Sequence, residues 1–290
     1  MYPMIRSYFG DSKKEPVLVQ EQSGELEYLT FPALSELVFI RHLFTTRTGG
    51  VSRGDCATMN LSFTRGDDAE AVKENYRRVC AVLGTKPEQV VASMQTHTTN
   101  IRQVTPKDQG KGVVMPLDYQ DVDGLITDEP GIALVCFYAD CVPLYFVDPV
   151  KRVIGLAHSG WRGTVERMGG HMVRRMQEAF GSRPEDLITA IGPSICRDCY
   201  EVSEDVALQF RRQFPDSDVV LDGRTEGKYQ LDLWLANRRV LLDAGVLEEH
   251  ISVTDVCTCH NPEYLFSHRA SHGRRGNLAA FLMIKEAVRL

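Results

Sequence analysis

The sequence has no surplus of positive charge. Lysine and arginine number 33 against 39 aspartates and glutamates, for a formal net charge of −6. A non-specific nucleic-acid binder carries a basic surplus or stripe, so nucleic acid is not an expected partner. An anion can still be bound, but only by a local cluster of arginines and backbone N–H groups. No run approaches the ~18 apolar residues needed to cross a bilayer, so no membrane partner is expected either. The first residues, Met1-Tyr2-Pro3-Met4-Ile5-Arg6-Ser7, lack the basic start and apolar core of a secretory signal. The expected setting is the cytoplasm. The eight cysteines are then expected as thiols or metal ligands rather than disulfides. Repeats and low-complexity stretches are also missing. The most polar interior segments, 107–112 and 222–228, read as loops too short to be domain linkers.

What is present is an ordinary globular composition. The 290 residues are 43% hydrophobic and 25% charged, enough for a sizeable core. We expect one domain over 36–290, with 1–35 a segment of unassigned role. Asp68 can cap a helix running to Leu83, with Val72, Tyr76, Val79 and Leu83 on one face and Gly84 as its stop. A second helix is expected from 164 to 180, where Val165, Met168, Met172, Met176 and Phe180 recur at helical spacing before Gly181. This methionine stripe reads as a core face and not as a copper site. A third helix covers 231–244, closed by Gly245. Strands are expected at 90–94, 132–137, 144–147, 153–157, 187–191 and 250–256. The run at 132–137 is apolar throughout, as in a strand buried on both faces. The strands at 144–147 and 153–157 look like a hairpin across Asp148-Pro149. The expected fold is therefore α/β (α+β), a single layered domain with a mixed sheet.

Three residues stand out. His97, Cys141 and His158 each fall just past the end of an expected apolar strand, where rigid strands can bring side chains to a common pocket. Two imidazoles and a thiolate suit Zn²⁺, and three protein ligands leave a fourth position for water or substrate. No local ligand motif such as H-E-x-x-H supports them. From the pattern alone, the alternative of unrelated core cysteine and histidines stays open.

Longer matches add weight. Thr46-Arg47-Thr48-Gly49-Gly50-Val51-Ser52, Asn60-Leu61-Ser62, Gln95-Thr96-His97, Asp123-Gly124-Leu125-Ile126-Thr127 and Ala139-Asp140-Cys141-Val142-Pro143 occur in that order. They are followed by Ala157-His158-Ser159-Gly160-Trp161-Arg162-Gly163-Thr164, Ile191-Gly192-Pro193-Ser194-Ile195, Tyr200-Glu201-Val202 and Phe266-Ser267-His268-Arg269. Over roughly 40–280 the chain resembles the laccase-domain (polyphenol oxidase-like) purine nucleoside phosphorylase family. The resemblance implies helices outside and sheets inside, as in the laccase-domain and cysteine-hydrolase-like fold. It implies phosphorolysis of adenosine, inosine, guanosine and methylthioadenosine, together with adenosine deamination. It places the family's zinc ligands on His97, Cys141 and His158, with copper the lesser alternative. One departure from what the resemblance implies is Asn277, which stands where many relatives carry Arg.

The expected partners are purine nucleosides and phosphate, and the expected assembly is a monomer or homodimer. Asp140, beside Cys141, is the candidate proton carrier for deamination. Arg47 and Arg162 are candidates to hold phosphate, with the backbone N–H groups of 160–163 at the start of a helix. Surface ion pairing is the alternative for both arginines. Trp161 is a candidate to face the purine, with packing as the alternative. Asn60 either bonds ligand or holds the loop beginning at Arg47. His268 is a candidate to sit behind the ligands.

Cys196-x-x-Cys199 and Cys257-x-Cys259-His260 raise a second, structural zinc site. We expect against it, because Cys199 leads into the family stretch Tyr200-Glu201-Val202, where the resemblance implies no metal. Three competing functions remain: a Cys–His hydrolase with Cys141 as nucleophile, a copper polyphenol oxidase, and a non-catalytic zinc-stabilised binding protein. With eight histidines in all, and three in the strongest motifs, a multicopper cluster is hard to build.

Overall fold

The computed structural model describes residues 17–215 and 217–286. In chain order its strands are β1 (Val19–Ser23), β2 (Leu26–Thr30), β3 (Ile40–Thr45), β4 (Val90–Ala92), β5 (Ile101–Gln103), β6 (Gly124–Thr127), β7 (Ala133–Tyr138) and β8 (Val142–Asp148). There follow β9 (Val153–Ser159), β10 (Ile188–Ile191), β11 (Glu201–Ser203), β12 (Val220–Asp222), β13 (Lys228–Leu231), β14 (Ile251–Val253) and β15 (Leu278–Ile284). The helices are α1 (Pro32–Ser35), α2 (Ala69–Leu83), α3 (Trp161–Val165), α4 (Met168–Phe180), α5 (Glu204–Gln213) and α6 (Leu233–Asp243).

Two six-stranded sheets dominate, with strand orders β1-β2-β3-β15-β7-β4 and β14-β10-β8-β9-β6-β5. Both are mixed. The β4–β7, β10–β14 and β5–β6 pairs are parallel and the rest antiparallel. β8 and β9 form the expected hairpin, with Leu144 opposite Ala157 and Pro143 opposite His158. A small antiparallel sheet, β11-β13-β12, lies apart.

Side-chain alternation explains the layers. Leu134, Cys136 and Tyr138 of β7 join one core, while Ala133 and Val135 join another with α2. β15 splits the same way: Leu278, Ala280 and Leu282 meet the first core, and Ala279, Phe281 and Met283 meet α2. From the other sheet, Tyr145, Val147, Ile154 and Leu156 join that first core, whereas Leu144, Phe146 and Ala157 pack under α4 and α6. The order is therefore helix, sheet, sheet, helices. Strands in the two middle layers are buried on both faces, so β7 and β15 are continuous apolar runs. Truncating Phe281, which is wholly buried against Tyr76 of α2, should cost roughly 3–5 kcal/mol.

α2 forms as its sequence implies. Asp68 accepts a hydrogen bond from the Glu70 N–H, Gly84 ends it in the left-handed region at φ 66°, and Val72, Tyr76, Val79 and Leu83 are buried. The helix expected over 164–180 differs. It breaks at Arg167, which has φ 64°, into the short α3 and the longer α4. Packing accounts for the break. α4 has to settle on α6, where a Cβ at Gly169 would lie 3.2 Å from Val240 and from Leu241. Meanwhile Thr164 of α3 is tied to Ser159 and Asn237 at 2.9 and 3.0 Å. Residues 19–30, within the segment of unassigned role, extend the first sheet through β1 and β2.

Candidate active site and metal centre

Three chain segments deliver His97, Cys141 and His158 to one point. The first leaves β4 and is pinned by Gln95, whose side chain donates to the Phe137 carbonyl at 2.8 Å and accepts the Phe137 N–H at 2.7 Å. This imitates a strand pair and carries the chain on to His97, which sits at φ 67°. The second segment leaves β7 through Asp140, at φ 86°, to Cys141 at the start of β8. The third is β9 itself. It was expected to end before His158, but it continues to Ser159, so His158 lies within the strand.

Asp123 holds the arrangement together. This fully buried carboxylate lies 2.8 Å from Nδ1 of His158 and accepts the N–H groups of Thr96, His97 and Thr98 at 3.0, 3.1 and 3.0 Å. Burial works against its charge, but His158 and these N–H groups outweigh it and hold the carboxyl below its ordinary range. A carboxylate on Nδ1 fixes the tautomer of His158 and turns Nε2 toward Cys141 and His97. Sequence reasoning named Asp123 only as part of a matching stretch. Its signal was one carboxylate between two ligand segments, which has no meaning until the fold closes.

The ligand atoms of His97, Cys141 and His158 lie within 4.8 Å of one another, with Cys141 Sγ 4.0 Å from His97 Nε2. A tetrahedral ion with bonds near 2.0 and 2.3 Å would set a nitrogen–sulfur edge of about 3.6 Å, so one ion fits. Burial opposes ionisation of Cys141, but the two imidazoles prevail and lower the thiol to about 6. Burial likewise opposes a charged His158, while Cys141 and Asp123 raise it to about 9. Gly160 is required by close approach, since a Cβ there would lie 2.9 Å from His97 Cδ2 and 3.1 Å from Cys141 Sγ. Behind His158, Ser159, Thr164 and Asn237 form a buried hydrogen-bonded network that ties β9 to α3 and α6.

The cluster opens onto a cavity of about 760 Å³. Its walls are largely apolar, with Phe63, Met94, Val113 and Phe137 beside Arg65 and Arg275. Burial, then the neighbouring Arg65, lowers Arg275 to about 10. Its Nε is buried and has no hydrogen-bond partner among the described residues. Asn277 also lines the cavity and accepts from Arg275.

Residues 41–285 match the family described as "Multi-copper polyphenol oxidoreductase laccase". The chain belongs to this family. It is 38% identical over 246 residues to "Purine nucleoside phosphorylase YlmD" of Bacillus subtilis, covering 84% of this chain and 88% of that protein. To the protein of the same name in Geobacillus stearothermophilus it is 41% identical over 244 residues, or 83% and 89% of the two chains. The crystal structure of that Geobacillus YlmD superposes with a TM-score of 0.86 at 38% identity, covering 94% of this chain and 100% of the other. The Bacillus licheniformis protein YfiH also superposes with a TM-score of 0.86, at 31% identity, over 92% and 99% of the two chains.

The other candidate residues of this laccase-domain chain lie as follows. Asp140 is buried, and its two carboxylate oxygens accept Thr258 Oγ1 and the Arg269 N–H, each at 2.7 Å. The Arg47 guanidinium donates to the carbonyls of Ala57 and Pro262 at 2.8–2.9 Å and lies over Phe266. Asn60 is wholly buried, bonded to Asp67 and to the backbone of Ser62 and Asn277, so it holds the loop. Arg162 stacks over Trp161. Arg47, Asn60, Trp161 and Arg162 are not among the residues lining the cavity, whereas Arg65 and Arg275 are. His268 touches Arg275 at 3.4 Å. Among the described residues no helix is long and apolar enough to cross a membrane.

Proposed function

We propose that the protein is a cytoplasmic, zinc-dependent purine nucleoside phosphorylase, cleaving nucleosides with phosphate to base and ribose 1-phosphate. The observation that carries this reading is one buried N–H of the Arg275 guanidinium, Nε, which has no hydrogen-bond partner among the described residues, on a side chain lining the cavity that the three-ligand cluster faces. Phosphate suits such a donor, with Arg65 as its neighbour. The similarity to proteins named purine nucleoside phosphorylase supports the same substrate class. The apolar walls at Phe63 and Phe137 suit a purine ring.

His97, Cys141 and His158 would hold the zinc, which when bound supplies a Lewis acid and an acidified water. Asp123 orients His158. Asp140, with both oxygens engaged, positions Cys141 and does not carry the proton. Arg65 and Arg275 take the anion, in place of Arg47 and Arg162. Adenosine deamination and methylthioadenosine phosphorolysis belong to the same pocket in this reading. Zinc is preferred to copper because a multicopper centre needs a second, histidine-rich cluster, and the other cluster among the described residues has three cysteines and one histidine.

The test is inosine and adenosine turnover by metal-quantified protein, with and without phosphate. Hypoxanthine and ribose 1-phosphate should appear together and only with phosphate. Base release that ignores phosphate would refute the phosphorylase reading. One geometry favours a second reading: Cys141, His158 and Asp123 also compose a cysteine hydrolase relay. It predicts full activity in metal-free protein and loss on alkylation of Cys141.

A further inference from the structure

The sequence-based expectation against a second metal site meets a contrary geometry. β10 and β14 run parallel, with Ile191 opposite Val253, and a bridge between Ser194 and Cys257 continues their pairing. Each strand then turns and presents two metal-binding side chains at the same spacing. One turn carries Cys196-x-x-Cys199 and the other Cys257-x-x-His260. The four ligand atoms all lie within 4.8 Å of one another. Cys196 Sγ is 3.8 Å from His260 Nδ1. Edges of about 3.6 to 3.8 Å are what a tetrahedral zinc with sulfur and nitrogen ligands needs. They are too short for a multi-iron cluster, whose cysteines must stand around several metal atoms. All four cysteines of the region are free thiols. The Cys196 N–H points at Cys257 Sγ from 3.3 Å, which favours sulfur as a thiolate.

We propose that Cys196, Cys199, Cys257 and His260 bind a second zinc ion, a structural one. All four positions are supplied by protein, and none of the four residues lines the cavity at Cys141. The ion would join two turns that both grip the approach to Cys141. The Ile195 N–H donates to the Asp140 carbonyl at 3.0 Å, and Thr258 donates to the Asp140 carboxylate at 2.7 Å. Arg269, which holds the other Asp140 oxygen, also donates to the Cys199 carbonyl at 3.0 Å. Cys259 lies beside the cluster and is not one of its four ligands.

The proposal does not depend on the function assigned to the first cluster, and the test keeps them apart. Metal is measured in purified full-length wild type and in Cys141→Ala. Wild type should hold about two zinc ions per chain and Cys141→Ala about one. Cys199→Ser and His260→Ala should each lose about one equivalent to a mild chelator, while Cys259→Ser and His260→Cys retain it. Variants of the buried ligands can fail to fold, so a second measurement uses cobalt in place of zinc in Cys141→Ala. With the first cluster's only thiolate removed, any sulfur-to-cobalt charge-transfer band must come from the second cluster, and a strong one is expected. Metal-free Cys141→Ala, or cobalt-loaded protein without that band, would overturn the proposal. So would a denaturing thiol titration that finds a disulfide among the cysteines of this region.

Discussion

The cluster at His97, Cys141 and His158 presents three ligand atoms to a cavity of about 760 Å³, whereas the cluster at Cys196, Cys199, Cys257 and His260 presents four and none of its residues lines that cavity. Their surroundings differ as much as their ligand counts. The open cluster sits among left-handed backbone at His97 and Asp140, a glycine that admits no Cβ, and a buried carboxylate behind its histidine. Such strain survives only where surrounding structure over-determines it, and it is typical of sites that must expose reactive groups. The closed cluster stands on two turns, one after β10 and one after β14, and none of its four residues has positive φ. A completed shell leaves nothing to react, so its contribution is stability.

The sharpest way to break this contrast is to delete one ligand from each cluster. His158→Ala should reduce nucleoside cleavage to background while the protein still binds metal at the closed cluster. Cys257→Ser should do the reverse in kind: a large fall in thermal midpoint, with activity lost only as the protein unfolds. Parallel losses of activity and stability in both variants would erase the distinction. A smaller effect is expected from Arg275→Ala. It should weaken phosphate use by roughly 2–5 kcal/mol, read as a rise in the phosphate KM with metal content unchanged. Unchanged phosphate dependence would place the anion elsewhere.

Asp123→Asn asks how much of the open cluster is its support. Loss of roughly 10- to 100-fold in metal affinity or activity is expected, concentrated at the open cluster. Equal metal loss at both clusters would mean a global defect. The smallest effect tests the turn that leads into the cavity-lining residues 112–117. Asp108 caps the turn before Lys111, bonding the N–H of Thr105 and the side chains of Arg102 and Lys111 at 2.7–3.0 Å. Burial resists its charge, but these partners hold the carboxyl well below the usual range. A depressed folded value means that its stabilisation is complete above about pH 4 and is lost as the pH falls further. Asp108→Asn should therefore cost about 1 kcal/mol at neutral pH. Its deficit against wild type, followed by thermal melts, should shrink as the pH drops below 4. A deficit constant with pH would rule out the charge as its source.

Local signals were legible where one chain segment decides the outcome. Asp68 and Gly84 bound α2 because caps act within a turn, and the apolar run near 132–137 became a strand with both faces buried. The hairpin of β8 and β9 followed from two short runs across Asp148-Pro149. The 164–180 helix broke because packing on α6 outweighed periodicity, a contest decided by Val240 and Leu241, some seventy residues later in the chain. Arg47 looked available for an anion because its motif is polar. The carbonyls that occupy it belong to Ala57 and Pro262, and the second of these is 215 residues away.

The sequence by itself determined the layered α/β class, the family, and the three residues of the open cluster, since each rests on short-range pattern or on motifs read in order. Tertiary structure alone decided what stands around them. Arg275 and Arg65 reach the cavity, Asp123 reaches His158, and Cys196 and Cys199 meet Cys257 and His260, because parallel pairing of β10 with β14 joins turns about sixty residues apart. Burial and electrostatic pairing depend on distances through space. Residues far apart in the chain acquire those distances only once the two sheets have closed on each other.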